Sequence, residues 1–115
     1  MTNIELIKSI SQLTEIIKNN ELVVINCGLT LCAPCKRISP DYEILSQKYT
    51  SVIFCKITMD VLDKITEASI KKYLNLTKYP SLILMHNGNN IEHIIGPYLD
   101  KLEKLLESMT GSEDF

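Results

Sequence analysis

The chain has no tryptophan, only two phenylalanines and a single arginine among its twelve basic residues. It has four glycines and four prolines in 115 residues, too few for a fibrous or low-complexity chain. No apolar run reaches the roughly 18 residues that a membrane helix requires. The opening MTNIELIK carries an acid at Glu5 and no apolar stretch behind basic residues, so no secretory signal is expected there. Twelve basic residues stand scattered against fourteen acidic ones, for a net charge of −2. That balance argues against nucleic acid as the main partner. The abundance of lysine, isoleucine and asparagine says nothing about function.

What is present suits one folded domain. The hydrophobic fraction is 45% and the charged fraction 23%, which excludes a disordered chain. A chain of this length buries roughly two-thirds of its unfolded surface and needs no metal or disulfide to fold. There are four cysteines. Without an export signal, they point to free thiols, metal ligands or redox chemistry in a reducing, cytoplasmic compartment. Cys32 and Cys35 form a C-x-x-C, whereas Cys27 and Cys55 stand alone.

Periodicity gives the element order β-α-β-α-β-α-β-β-α. Asn3–Lys8 reads as a short strand. Ser11 is the expected N-cap of a helix over Gln12–Lys18, with Leu13, Ile16 and Ile17 on its inner face. Leu22–Cys27 is a near-continuous apolar run, as in a strand buried on both faces. After a loop over Gly28–Leu31, a helix is expected from Ala33 to Tyr49. Pro34 lies in its first turn, Pro40 should kink it, and Ile38, Tyr42, Leu45 and Tyr49 face the core. Val52–Thr58 is the next strand. Asp60–Tyr73 reads as a helix with Leu62, Ile65, Ala68 and Ile70 inward. Ser81–His86 and Asn90–Ile95 flank Asn87-Gly88, a strong hairpin signal. Tyr98–Met109 closes the chain as an amphipathic helix, with Leu99, Leu102, Leu105 and Leu106 inward. Residues 1–110 thus form one domain and 111–115 a frayed tail. The first three strands should run parallel through right-handed crossovers, with an antiparallel hairpin after them.

A C-x-x-C between a buried strand and a helix carries a mechanism. The first four amides of a helix lack internal partners and bear partial positive charge, which eases loss of a thiol proton. Cys32 would sit there, able to attack a disulfide. Cys35 lies one turn on and can attack the resulting mixed disulfide. Pro34 stiffens the turn without removing a needed amide. Lys36 and Arg37 read as a solvated helix face, although positive charge after Cys32 also favours its thiolate. A zinc or iron–sulfur site needs about four ligands, and only one C-x-x-C is present. Cys27 and Cys55 read as small core hydrophobes on neighbouring strands. His86 and His93 read as surface or edge-strand residues with no third ligand in register.

With these motifs in place, the chain resembles the thioredoxin family over nearly its whole length. The resemblance lies in VVINCGLTLCAPCKRISPDYEIL, KITMD, the YPS of Tyr79–Ser81 and the HNG followed by Gly96. It implies a thioredoxin fold: a mixed five-stranded α/β sheet, three parallel strands plus an antiparallel hairpin, flanked by four helices. It also implies Cys32 as nucleophile, Cys35 as resolving thiol and Pro80 in a cis peptide bond beside them. Leu31, Ala33, Pro34, Tyr79, Pro80 and Gly96 would form the substrate surface, and Asn26, Lys56 and Lys36 would modulate it. No bound cofactor or metal is implied. The expected activity is reduction of protein disulfides, with re-reduction by an NADPH-linked flavin reductase or by glutathione. The alternative is a thioredoxin-fold interaction module with little turnover.

The chain departs from the family pattern at several places. The family's Trp before the first cysteine is Leu31, which should leave Cys32 more exposed. Its Gly after that cysteine is Ala33, which stiffens the loop. Its buried Asp is Asn26, which hydrogen-bonds but cannot accept a proton at neutral pH. Resolution by Cys35 should therefore be slow. Lys56, at the family's buried Lys, loses its carboxylate and either extends to solvent or favours thiolate at Cys35. Tyr79 places a bulky ring beside the cis-proline, where it packs or redirects selectivity. The stretch from Asp60 to Pro80 is also about five residues longer than in compact members, and should lengthen the third helix.

Overall fold

The computed structural model describes residues 3–111. Its elements are β1 (Ile4–Leu6), α1 (Ile10–Asn19), β2 (Leu22–Gly28), α2 (Ala33–Lys48), β3 (Ile53–Thr58), a 3₁₀ turn (Met59–Val61), α3 (Lys64–Leu74), β4 (Ser81–His86), β5 (Asn89–Ile95) and α4 (Leu99–Thr110). The five strands form one sheet in the order β1-β3-β2-β4-β5. β1 and β2 both pair parallel with β3, while β4 runs antiparallel to β2 and to β5. The expected sheet and its four helices are therefore present. Residues 112–115 of the expected tail lie outside the described residues.

The central strand explains the layering. Alternate side chains of β2 point to opposite faces. Val23, Ile25 and Cys27 join Leu13 and Ile17 of α1 and Ile70 and Leu74 of α3 in one cluster. Leu22 and Val24 join Ile38, Tyr42 and Leu45 of α2 and Leu102 and Leu106 of α4 in the other. Helices on both faces leave every side chain from Leu22 to Cys27 buried, as its apolar run requires. The third inward-facing position on the α2 side is Asn26, the one polar residue in that run.

Three local readings are corrected. The cap of α1 is Ser9, not Ser11: the Ser9 hydroxyl accepts from the Gln12 amide at 3.1 Å, and the Gln12 side chain accepts from the Lys8 amide at 2.8 Å. This reciprocal Ser-x-x-Gln arrangement outcompetes the serine two residues further in. The third helix begins at Lys64, not Asp60. Asp63 accepts from the Thr66 amide and hydroxyl, each at 2.8 Å, and so fixes the start. The shift rotates the helix face: Ile70 stays buried and Leu62 packs on the core from the preceding turn, but Ile65 is 82% exposed and Ala68 also points out. The first strand is shorter than read, and the exposed Leu6 ends it.

Pro40 lies inside an unbroken α2 and is exposed, and having no amide it cannot donate to the Lys36 carbonyl. Asn87 and Gly88 both have positive φ (51° and 84°), as a two-residue hairpin turn demands.

Candidate functional site

The site forms where β2 ends. Gly28–Leu31 leads from the strand into α2, and this loop is held by Asp60, whose Oδ1 accepts from the Thr30 amide at 2.9 Å and from its hydroxyl at 3.0 Å. Asp60 was read from sequence as the opening of a helix. It belongs instead to the 3₁₀ turn after β3 and anchors the loop before the cysteines. No local pattern marks a partner thirty residues away.

Cys32 is the N-cap of α2, and Cys35 follows one turn later. The two are joined in a disulfide, with Cα atoms 5.2 Å apart. The Cys35 amide donates to Cys32 Sγ at 3.3 Å, and the Lys36 amide donates to the Cys32 carbonyl at 3.0 Å. One orphan amide of the first helical turn, that of Cys35, thus points at the sulfur, an arrangement that favours a thiolate there. Leu31 is 88% exposed, so no large side chain shields the disulfide from that side. Ala33 is exposed and Pro34 occupies the first turn.

Behind the disulfide is a cavity of about 360 Å³ lined by Asn26, Gly28, Cys35, Lys36, Ser39 and Lys56, among others. Asn26 is 4% exposed, and its buried Oδ1 has no hydrogen-bond partner among the described residues. An unsatisfied buried acceptor costs on the order of 1–3 kcal/mol. Asn26 lies opposite Lys56 in the β2–β3 register. Lys56 is half-buried, and among the described residues it makes no ion pair.

Gly28 was passed over in the sequence as a loop residue. A Cβ there would lie 3.1 Å from Cys35 Sγ, so glycine is what allows the sulfur to rest on the strand.

Beside the end of β2, where Ser81 pairs with Cys27, is the Lys78–Ser81 segment. The Tyr79–Pro80 peptide bond is cis. Tyr79 is half-buried against the α1–α3 core, and burial raises its hydroxyl above the usual tyrosine range. Gly96 donates its amide to the Pro80 carbonyl at 2.8 Å. Gly96 has φ +115°, and any side chain there would collide with the Tyr98 ring. Ser81, fully buried, donates to the Lys78 carbonyl at 2.7 Å, and His93 Nε2 lies 3.0 Å from the same hydroxyl. His93 is on an edge strand as read, yet it is engaged with this segment. Burial lowers its imidazole, with Glu92 opposing that shift.

Cys27 and Cys55 remain free and buried in the α1–α3 core. Burial raises both thiols, Cys55 to about 12. Among the described residues, no three His, Cys, Asp or Glu side chains are grouped so as to hold a metal ion. No helix among them is long and apolar enough to cross a membrane.

Chemically, a disulfide capping a helix and open on one side can exchange with an outside thiol, and once reduced its thiols can attack an outside disulfide. The thioredoxin family model matches residues 6–110. Thioredoxin 1 of Plasmodium falciparum is 32% identical over 104 residues, spanning 90% of this chain and 95% of that protein. Thioredoxin-1 of Schizosaccharomyces pombe is 34% identical over 99 residues, 85% of this chain and 90% of that protein. The crystal structure of oxidised mitochondrial thioredoxin 3 from Saccharomyces cerevisiae superposes with a TM-score of 0.81 at 30% identity, covering 91% of this chain and 94% of that one. The strand order, the disulfide at the head of α2 and these relatives together establish that the chain belongs to the thioredoxin family.

Proposed function

We propose that this thioredoxin-family chain, acting as a single unit over residues 1–110, reduces disulfides in protein substrates and resolves its mixed disulfides slowly. Cys32 thiolate attacks a substrate disulfide, and one substrate sulfur leaves as thiolate. Cys35 thiolate then attacks Cys32 Sγ, which releases the second substrate thiol and leaves the Cys32–Cys35 disulfide. Two electrons pass to the substrate. A reductant must return them, either an NADPH-linked flavin reductase or two molecules of glutathione that leave as their disulfide, in a reducing compartment such as the cytoplasm.

The observation that carries this reading is the Cys32–Cys35 disulfide at the head of α2, with the unpartnered Asn26 Oδ1 in the cavity behind it. The attacking form of Cys35 requires removal of its proton. An Asn carbonyl can accept a hydrogen bond from that thiol but cannot take the proton. General-base help is worth ~10²–10⁴-fold when direct and less when indirect. Lys56, opposite Asn26, offers positive charge to the Cys35 thiolate as partial compensation. Leu31, Ala33, Pro34, Tyr79, Pro80 and Gly96 form the surface that meets the substrate. Lys36, in the first turn of α2, adds positive charge behind Cys32.

The test is turnover of insulin disulfides with dithiothreitol as reductant. Wild type should turn over, Cys32→Ser should abolish turnover, and Cys35→Ser should trap a mixed disulfide. No turnover by wild type and no trapping by Cys35→Ser would favour a binding module instead.

A further inference from the structure

The segment before β4 is braced by a chain of hydrogen bonds whose direction can be assigned. Ser81 has one hydroxyl proton, and it goes to the Lys78 carbonyl at 2.7 Å. The 3.0 Å contact between Ser81 Oγ and His93 Nε2 must then have the imidazole as donor. The chain runs from His93 Nε2–H to the Ser81 hydroxyl and on to the Lys78 carbonyl. His93 reaches it because Ser81, Ile83, His93 and Ile95 share one face of the β4–β5 ladder.

The far side of the same segment is held separately, by the Gly96 amide on the Pro80 carbonyl at 2.8 Å. Carbonyls on both sides of Tyr79 are therefore pinned. Among the described residues, no backbone hydrogen bond engages the Tyr79 amide or carbonyl. A main-chain edge fixed at both ends and unpaired in the middle is the form that accepts an extended peptide by strand addition. Fixing it in advance lowers the ordering cost of docking.

We propose that His93 is a positioning residue for substrate docking: through Ser81 it fixes the Lys78 carbonyl and so presents the Tyr79 main chain to extended polypeptide disulfides. The inference rests on the oxidoreductase reading above. It makes His93 matter for substrates with a peptide backbone and leaves it irrelevant to small disulfides.

The test compares insulin with Ellman's reagent, a disulfide that has no peptide backbone. His93→Phe should raise KM for insulin roughly fivefold, the worth of one neutral hydrogen bond, and leave kcat unchanged. Its rate with Ellman's reagent should match wild type. His93→Gln, whose amide can donate from the Nε2 position, should restore KM to within about twofold. Ser81→Ala, which removes the middle hydroxyl and keeps the imidazole, should reproduce the split. An unchanged insulin KM in His93→Phe and Ser81→Ala would overturn the inference. So would an equal loss on both substrates, or a His93→Gln as impaired as His93→Phe. Wild type inactive on both substrates would overturn the oxidoreductase reading, and this inference with it.

Discussion

Asn26 and Gly28 sit two apart on β2, facing α2 and the Cys35 side of the disulfide. They differ in how far the sequence revealed them. Asn26 was legible because one polar residue interrupts an apolar run just before the cysteines, and because the family pattern has an acid there. That its carbonyl oxygen lacks a partner was not legible, since this depends on side chains from α2 and β3. Gly28 looked like an ordinary loop glycine. Its role depends on a sulfur arriving from the following helix, which no pattern in the strand reports. Replacing Gly28 with Ala should crowd Cys35 Sγ, and overpacking of this kind costs about 1–3 kcal/mol. In a domain of this size, each kcal/mol lowers Tm by about 4 °C. Calorimetry of the oxidised protein should show that loss, and an unchanged Tm would show that the sulfur moves freely.

Among the elements, the inner faces of α1, α2 and α4 were readable, while the inner face of α3 and the helix ends were not. Apolar spacing located all four helices, because burial against a sheet imposes it. The cap of α1 and the start of α3 were misplaced because several polar residues compete at each helix start, and the choice falls to the one whose side chain finds partners in the first turn. Asp63→Ala should destabilise the fold by about 1 kcal/mol, the usual worth of such a cap. A denaturant midpoint equal to wild type would count against Asp63 as the start of α3.

The ends of α2 and α4 are joined by Glu103, which pairs with Lys48 at 2.8 Å and accepts from the buried Tyr49 hydroxyl at 3.1 Å. The Lys48 hydrogen bond, followed by that of Tyr49, holds the Glu103 carboxyl below its ordinary value of 4.5. A depressed folded value means the contribution is present above the unfolded value and is lost as pH falls through the folded one. The pair is partly exposed, so this contribution is at most about 1 kcal/mol. Glu103→Gln should therefore narrow the gap in urea midpoint between pH 6 and pH 3.5. A gap as wide as that of wild type would remove Glu103 from the account.

On the scale of the whole molecule, one sheet covered on both faces divides the four cysteines by environment. Cys27 and Cys55 are sealed in the α1–α3 core, with thiols raised by burial, while Cys32 and Cys35 lie at the rim where β2 gives way to α2. After reduction, iodoacetamide should modify Cys32 in the native protein, and Cys27 and Cys55 only on unfolding. Mass spectrometry of the alkylated peptides reads this directly, and native labelling of Cys27 would contradict the sealed core. The sequence anticipated this division because a central strand buried on both faces must hide its cysteine, whereas a C-x-x-C opening a helix must lie near its end.

The account stands most directly on the lifetime of the Cys32 mixed disulfide. In a single turnover with insulin, acid-quenched at intervals, wild type should accumulate that adduct and Asn26→Asp should clear it at least severalfold faster. Equal lifetimes in the two proteins would contradict the claim that the missing carboxylate behind Cys35 limits this chain.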